Sequence, residues 1–102
     1  MLPIPVRQAA QEIGKFYLNK HNGDYKAAEE ELVRLRITKV EINGNCLYIT
    51  ASRVGLLIGK RGQNIDALGR YIEKTLNMKI FVIEDIDCLY DYLIPQKEEE
   101  YD

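Results

Sequence analysis

The sequence predicts an α+β domain: helices packed on one face of a three-stranded mixed sheet, with one further helix at the N-terminus. Three observations carry this. The apolar spacing changes period along the chain, from helical in the first third, to strict alternation near residue 40, and back to helical after residue 62. A β-branched run follows that last helix. The length, 102 residues, suits one domain and is too short for two ordinary ones. Hydrophobic residues make up 46% and charged residues 29%, as in a typical globular chain, so a core can form without metals or disulfides.

Pro3 and Pro5 precede the first helical pattern, and Pro5 suits its first residue. Val6, Ala9, Ala10, Ile13, Phe16 and Tyr17 recur at three- and four-residue spacing, one face of a helix over about 6–20. Gly23 suits the turn that ends it, and Asp24 suits the N-cap of a second helix over about 25–36. That helix buries Ala28, Leu32 and Leu35 and exposes Glu29, Glu30 and Arg34. In ITKVEIN, Val40 and Ile42 alternate with Lys39 and Glu41, a half-buried strand. Asn43-Gly44-Asn45 is hairpin chemistry, and CLYITA returns with Leu47 and Ile49 on one face and Tyr48 and Thr50 on the other. Ser52 is placed to cap a short helix beginning at Arg53. Ile65, Leu68, Ile72 and Leu76 then mark a longer helix over about 63–76, Asn77 fits its end, and KIFVIE is the last strand.

Charge is distributed unevenly. Residues 1–52 carry seven Lys/Arg and six Asp/Glu, while residues 53–83 carry six Lys/Arg against Asp66 and Glu73. Residues 84–102 carry eight acids and only Lys97, so an acidic tail masks a basic segment in the net charge of −2. Within that tail, DIDCLYDYLIP mixes acids with apolar residues and could dock on the body, and QKEEEYD is not expected to fold. No apolar run approaches the ~18 residues of a membrane span, and the start lacks the apolar region of a secretory signal, so a cytoplasmic location is expected. Cys46 and Cys88 belong to no C-x-x-C pair and read as two free thiols. His21, the one histidine, reads as a solvated turn residue. With no Ser/His/Asp or Cys/His set and no metal-ligand cluster, neither an enzyme nor a metal or other cofactor is expected.

The informative stretch is LIGKRGQNI, Leu57 to Ile65, where two glycines and two cations interrupt a helical pattern. A phosphate-binding P-loop fails here: Gly55 to Gly59 is one residue short, and Arg61 stands where a hydroxyl is needed. A dinucleotide fingerprint fails because Leu57 holds the middle glycine position. A tight turn between two helices fits. Gly59 and Gly62 lack a Cβ, so a sugar-phosphate chain can approach, and the following helix start offers amides and a positive dipole end to an anion. Lys60 and Arg61 lie at the tip to meet phosphates, and Ile58 and Ile65 flank the turn to hold it on the sheet.

Ile58-Gly59-Lys60-Arg61-Gly62-Gln63-Asn64-Ile65 resembles the I-G-x-x-G-x-x-I signature of KH domains, which bind single-stranded RNA or DNA. The order of helix, strand and strand before the turn, with one closing strand, is similar to the type II, prokaryotic-style arrangement. The resemblance covers Asp24 to Glu84, and a chain this short looks most like the small stand-alone RNA-binding members. It implies a KH domain over 24–85, an N-terminal helical extension over 1–23 and an acidic tail over 86–102. It also implies an apolar groove for bases beside the two helices, with Val54, Gly55, Ile58, Ile65 and Leu68 as floor candidates. Gln63 and Asn64, in the first helical turn, offer amides to a phosphate or sugar, or serve as helix-start residues only. Arg53 and Arg70 widen the positive field, or are ordinary solvated charges. No aromatic residue sits at the turn in the sequence.

Two other readings compete with single-stranded RNA binding. One is a protein-interaction or assembly factor that docks to a partner such as a ribosomal particle, motivated by overall acidity and the segment Leu89 to Ile94. The other is a helix-turn-helix DNA reader, for which the first of the two helices is very short.

Overall fold

The structure, a computed structural model, describes residues 4–85. The expectations for the tail, a docked apolar segment and an unfolded end, lie outside the described residues.

Helix α1 (Ile4–Lys20) begins slightly ahead of the expected start, and buries Ala9, Ile13 and Tyr17. It ends where Gly23, at φ +86°, lets its N–H return to the Leu18 carbonyl at 2.8 Å. The Asp24 side chain then accepts from the Ala27 N–H at 3.1 Å and starts α2 (Tyr25–Leu35), as its residue type predicts. Ala28 and Leu35 of α2 are buried, with Leu32 packed against them.

Strand β1 (Ile37–Asn43) pairs antiparallel with β2 (Cys46–Ala51), and Asn43 faces Cys46 across the hairpin. Gly44 alone of the two turn residues has positive φ, the φ pattern of a II′ turn. Strand β3 (Lys79–Glu84) pairs parallel with β2, so the sheet is mixed, in the order β1-β2-β3. A parallel pair requires a crossover, and here it contains α3 (Val54–Ile58), the glycine turn and α4 (Gln63–Leu76).

The register places Val40 and Ile42 beside Ile49 and Leu47, and these beside Val82 and Ile80. That face meets the helices, which contribute Tyr17, Leu35, Leu57, Leu68 and Ile72 to one core. Each of these fully buried side chains is worth roughly 1.5–3 kcal/mol. The opposite face shows Tyr48 and Phe81 as a stacked cross-strand pair with ring centroids 5.4 Å apart.

One expected cap is absent. Ser52 is buried, and α3 starts from Arg53 with no side-chain cap. The N–H groups of Ser52 and Arg53 donate instead to the carbonyls of Arg36 and Leu35, tying the end of β2 to the end of α2. Arg53 takes the N-cap position of α3, so the Ser52 hydroxyl stands one residue too early to cap it.

Candidate nucleic-acid interface

The glycine turn joins the five-residue α3 to α4. Gly59 stands at φ +82°, ψ 172°, a region open essentially to glycine alone. A Cβ on it would lie 2.7 Å from the Asn64 Cβ and 3.0 Å from the Asn64 nitrogen, so the turn is folded tightly onto the start of α4. Lys60–Gly62 forms a single 3-10 turn in which both Arg61 (φ 57°, ψ 25°) and Gly62 (φ 73°, ψ 11°) are left-handed. For Arg61 that backbone costs about 1–2 kcal/mol, held in place by the surrounding fold.

Lys60 and Arg61 are exposed, and among the described residues neither makes a hydrogen bond or ion pair. No side chain caps α4 at Gly62. Two cations without a partner among the described residues therefore stand beside the positive end of a helix dipole, an arrangement that favours an anion.

Asn64 holds this turn from behind. Its Nδ2 donates to the Leu57 carbonyl at 2.7 Å and to the Tyr17 hydroxyl at 2.9 Å, and its Oδ1 accepts from Lys20 Nζ at 3.0 Å. The amide that the sequence offered to a phosphate is thus committed inside the protein, because α1 brings Tyr17 and Lys20 to it. Lys20 also pairs with Glu31 at 2.6 Å, and Glu31 hydrogen-bonds His21 Nε2 at 2.6 Å. His21 is accordingly half-buried and partnered rather than a solvated turn residue; Glu31, midway along α2, attracts it. Burial pushes the Tyr17 hydroxyl up to about 12, with the Glu31 charge adding to the rise and the Asn64 bond opposing it. At Glu31 burial acts to raise the carboxyl, but the bonds from Lys20 and His21 outweigh it and hold the group below its ordinary value.

The other expected residues are spread over two helices. Ile65 lines a groove of about 360 Å³ between α4 and β3, together with Gly69, Arg70, Met78 and Ile80. Ile58 is 37% exposed on α3, Val54 is half-buried, and Arg53 and Gln63 are exposed. Gly55 has open space where a Cβ would stand. Leu68 is wholly buried and offers no surface to a ligand: it lies on the side of α4 that faces the sheet. The sequence reading missed the contact of Gly69 with Ile80, where an added Cβ would lie at 3.6 Å, an ordinary packing distance between α4 and β3. A glycine inside a helical run opposite an alternating strand was the signal for it.

Among the described residues no group of His, Cys, Asp and Glu is placed to hold a metal ion, and no helix is long and apolar enough to cross a membrane. Fold and turn together define an α+β module that presents a cationic glycine turn at a helix start. A family model described as KH domain matches residues 24–87, and the chain belongs to that family. It is thus a non-catalytic module of single-stranded nucleic-acid binding. No curated protein and no solved structure matches the chain.

Proposed function

We propose that the protein binds single-stranded RNA by closing the turn Gly59–Gly62 on the sugar-phosphate backbone, in the manner of a type II KH module. The observation that carries this is the pair Lys60 and Arg61, exposed and unpaired among the described residues, on a strained turn at the uncapped start of α4. A turn kept only for packing has no need of two cations or of a left-handed arginine. The order α2, β1, β2, α3, turn, α4, β3 supports the type II assignment. A module of this type clamps about four backbone nucleotides.

Three neutralised phosphates give a single-strand salt slope of roughly −2, so affinity falls about 16-fold between about 50 and 200 mM salt. The test is binding of a random short RNA pool to wild type and to Lys60→Asp/Arg61→Asp at those two salt concentrations. The expected result is salt-sensitive binding that the double variant loses. Wild type without salt-sensitive binding to any single strand overturns the proposal in favour of protein docking. Preference for duplex DNA would point to the helix-turn-helix reading, against which α3 has only five residues.

A further inference from the structure

Helix α4 is flanked by two grooves that differ in charge. The groove towards β3 has Asp66 and Glu73 in its lining against Arg70 and Lys79, and is balanced. The groove towards α1 holds about 680 Å³ and has Lys20 and Lys60 but no carboxylate in its lining. Its wall is apolar, from Phe16, Leu56, Ala67 and Tyr71. Gly59 and Lys60 belong to this groove and to the glycine turn alike.

We propose that the α1–α4 groove is a second subsite, which takes a nucleotide of the same RNA strand that the turn grips. The inference rests on the reading of the turn as the backbone grip. Lys20 is held by Glu31, so a strand leaving Lys60 on this side follows the one lining cation that has no acid partner among the described residues, whereas on the β3 side two cations are matched in number by two acids. The groove lies within the ~300–1,000 Å³ of small-ligand pockets and combines an apolar floor with a few polar groups, as a nucleobase requires. Leu56 is 50% exposed at its lip, apolar surface that a base would cover. Phe16 and Tyr71 stand with ring centroids 5.7 Å apart, and the Tyr71 hydroxyl donates to Glu12 at 2.9 Å. That wall is fixed before any ligand arrives, which lowers the cost of binding. The aromatic contact that the sequence does not show at the turn is thus supplied by the fold, from α1 and from two turns further along α4.

Two groove variants test this by fluorescence anisotropy with labelled oligouridines of about four and about ten nucleotides, the shorter matching the turn's own span. Ala67→Leu fills the groove, and Leu56→Asp, at a half-exposed position, places a negative charge at its lip. Circular dichroism confirms that each variant is folded. Both should weaken binding of the longer oligomer roughly tenfold, the size of one lost base stack, and leave the shorter one unchanged. With 4-thiouridine in the longer oligomer, crosslinks should fall on Phe16 or Tyr71. Wild-type affinity for the longer oligomer in both variants overturns the proposal. If Lys60→Asp/Arg61→Asp then loses both oligomers, only the second subsite falls; if it loses neither, the turn reading falls with it. A change in sedimented mass on Leu56→Asp without RNA would assign the groove to a second copy of this chain, and overturns the proposal as well.

Discussion

The Asn64 amide donates to the Tyr17 hydroxyl at 2.9 Å, so a helix that lies ahead of the family match holds the first turn of the helix behind the glycine turn. The same amide reaches the Leu57 carbonyl and accepts from Lys20, which joins α1, α3 and α4 at one side chain. The N-terminal helix therefore shares the core and also sets the shape of the site.

Asn64→Ala leaves the Leu57 carbonyl and the Tyr17 hydroxyl without this donor, which costs about 2–3 kcal/mol. The melting temperature should fall by roughly 10 °C or more. Tyr17→Phe keeps the ring in place and loses one bond, so its cost is about 1 kcal/mol. Thermal melts of the two variants check the ordering; equal losses would mean that Asn64 acts through Tyr17 alone.

The two glycines of the turn differ in kind. Gly62→Ala meets open space and carries only the left-handed penalty of about 1–2 kcal/mol. Gly59→Ala adds a clash with Asn64 at 2.7 Å to a backbone region that alanine scarcely enters, for about 3 kcal/mol in all. Denaturant midpoints should rank Gly59→Ala well below Gly62→Ala. The reverse order would show that Asn64 moves aside freely.

Arg61 should be tolerated poorly by the fold and needed by the ligand. Replacing it with glycine relieves about 1–2 kcal/mol of left-handed strain and adds back about 0.5–1 kcal/mol of chain entropy. Stability should therefore hold or rise slightly, while RNA affinity drops by the loss of one phosphate contact and the salt slope shrinks by about 0.7. Calorimetry and a salt titration on the same sample measure both. A variant that loses stability and keeps its salt slope would make Arg61 a structural residue.

Most of the fold was legible because each element carries a local signal: Asp24 as a cap, Gly44 in a two-residue hairpin, alternation through Leu47 and Ile49, and the row Ile65, Leu68, Ile72. The turn was legible for the same reason, since glycines and cations stood together in sequence. What the sequence hid depends on contacts between distant segments. Asn64 reads as an amide for a phosphate or sugar, or as a helix-start residue only, until α1 brings Tyr17 and Lys20 to it, 47 and 44 residues away. His21 reads as solvated until Glu31 is placed beside it. Leu68 carries the same apolar signal whether it faces a groove or the core, and only the direction of α4 over the sheet separates the two.

Acid should loosen the junction that Asn64 organises. The Glu31 carboxyl is lowered from its ordinary value of 4.5 in the folded protein, so its contribution is fully present above that value and is lost as pH falls through the folded-state value. Protonation removes the carboxylate partner of Lys20 and His21, both at 2.6 Å. Because the Lys20 side chain is 38% exposed, solvent screening keeps the contribution to about 1 kcal/mol. Glu31→Gln should accordingly melt about 4–8 °C below wild type near neutral pH, and the gap should close as the buffer is taken down to about pH 3. A gap that stays constant over the whole range would show that the charge on Glu31 contributes nothing, and that neutral hydrogen bonding or packing alone holds α1 to α2 there.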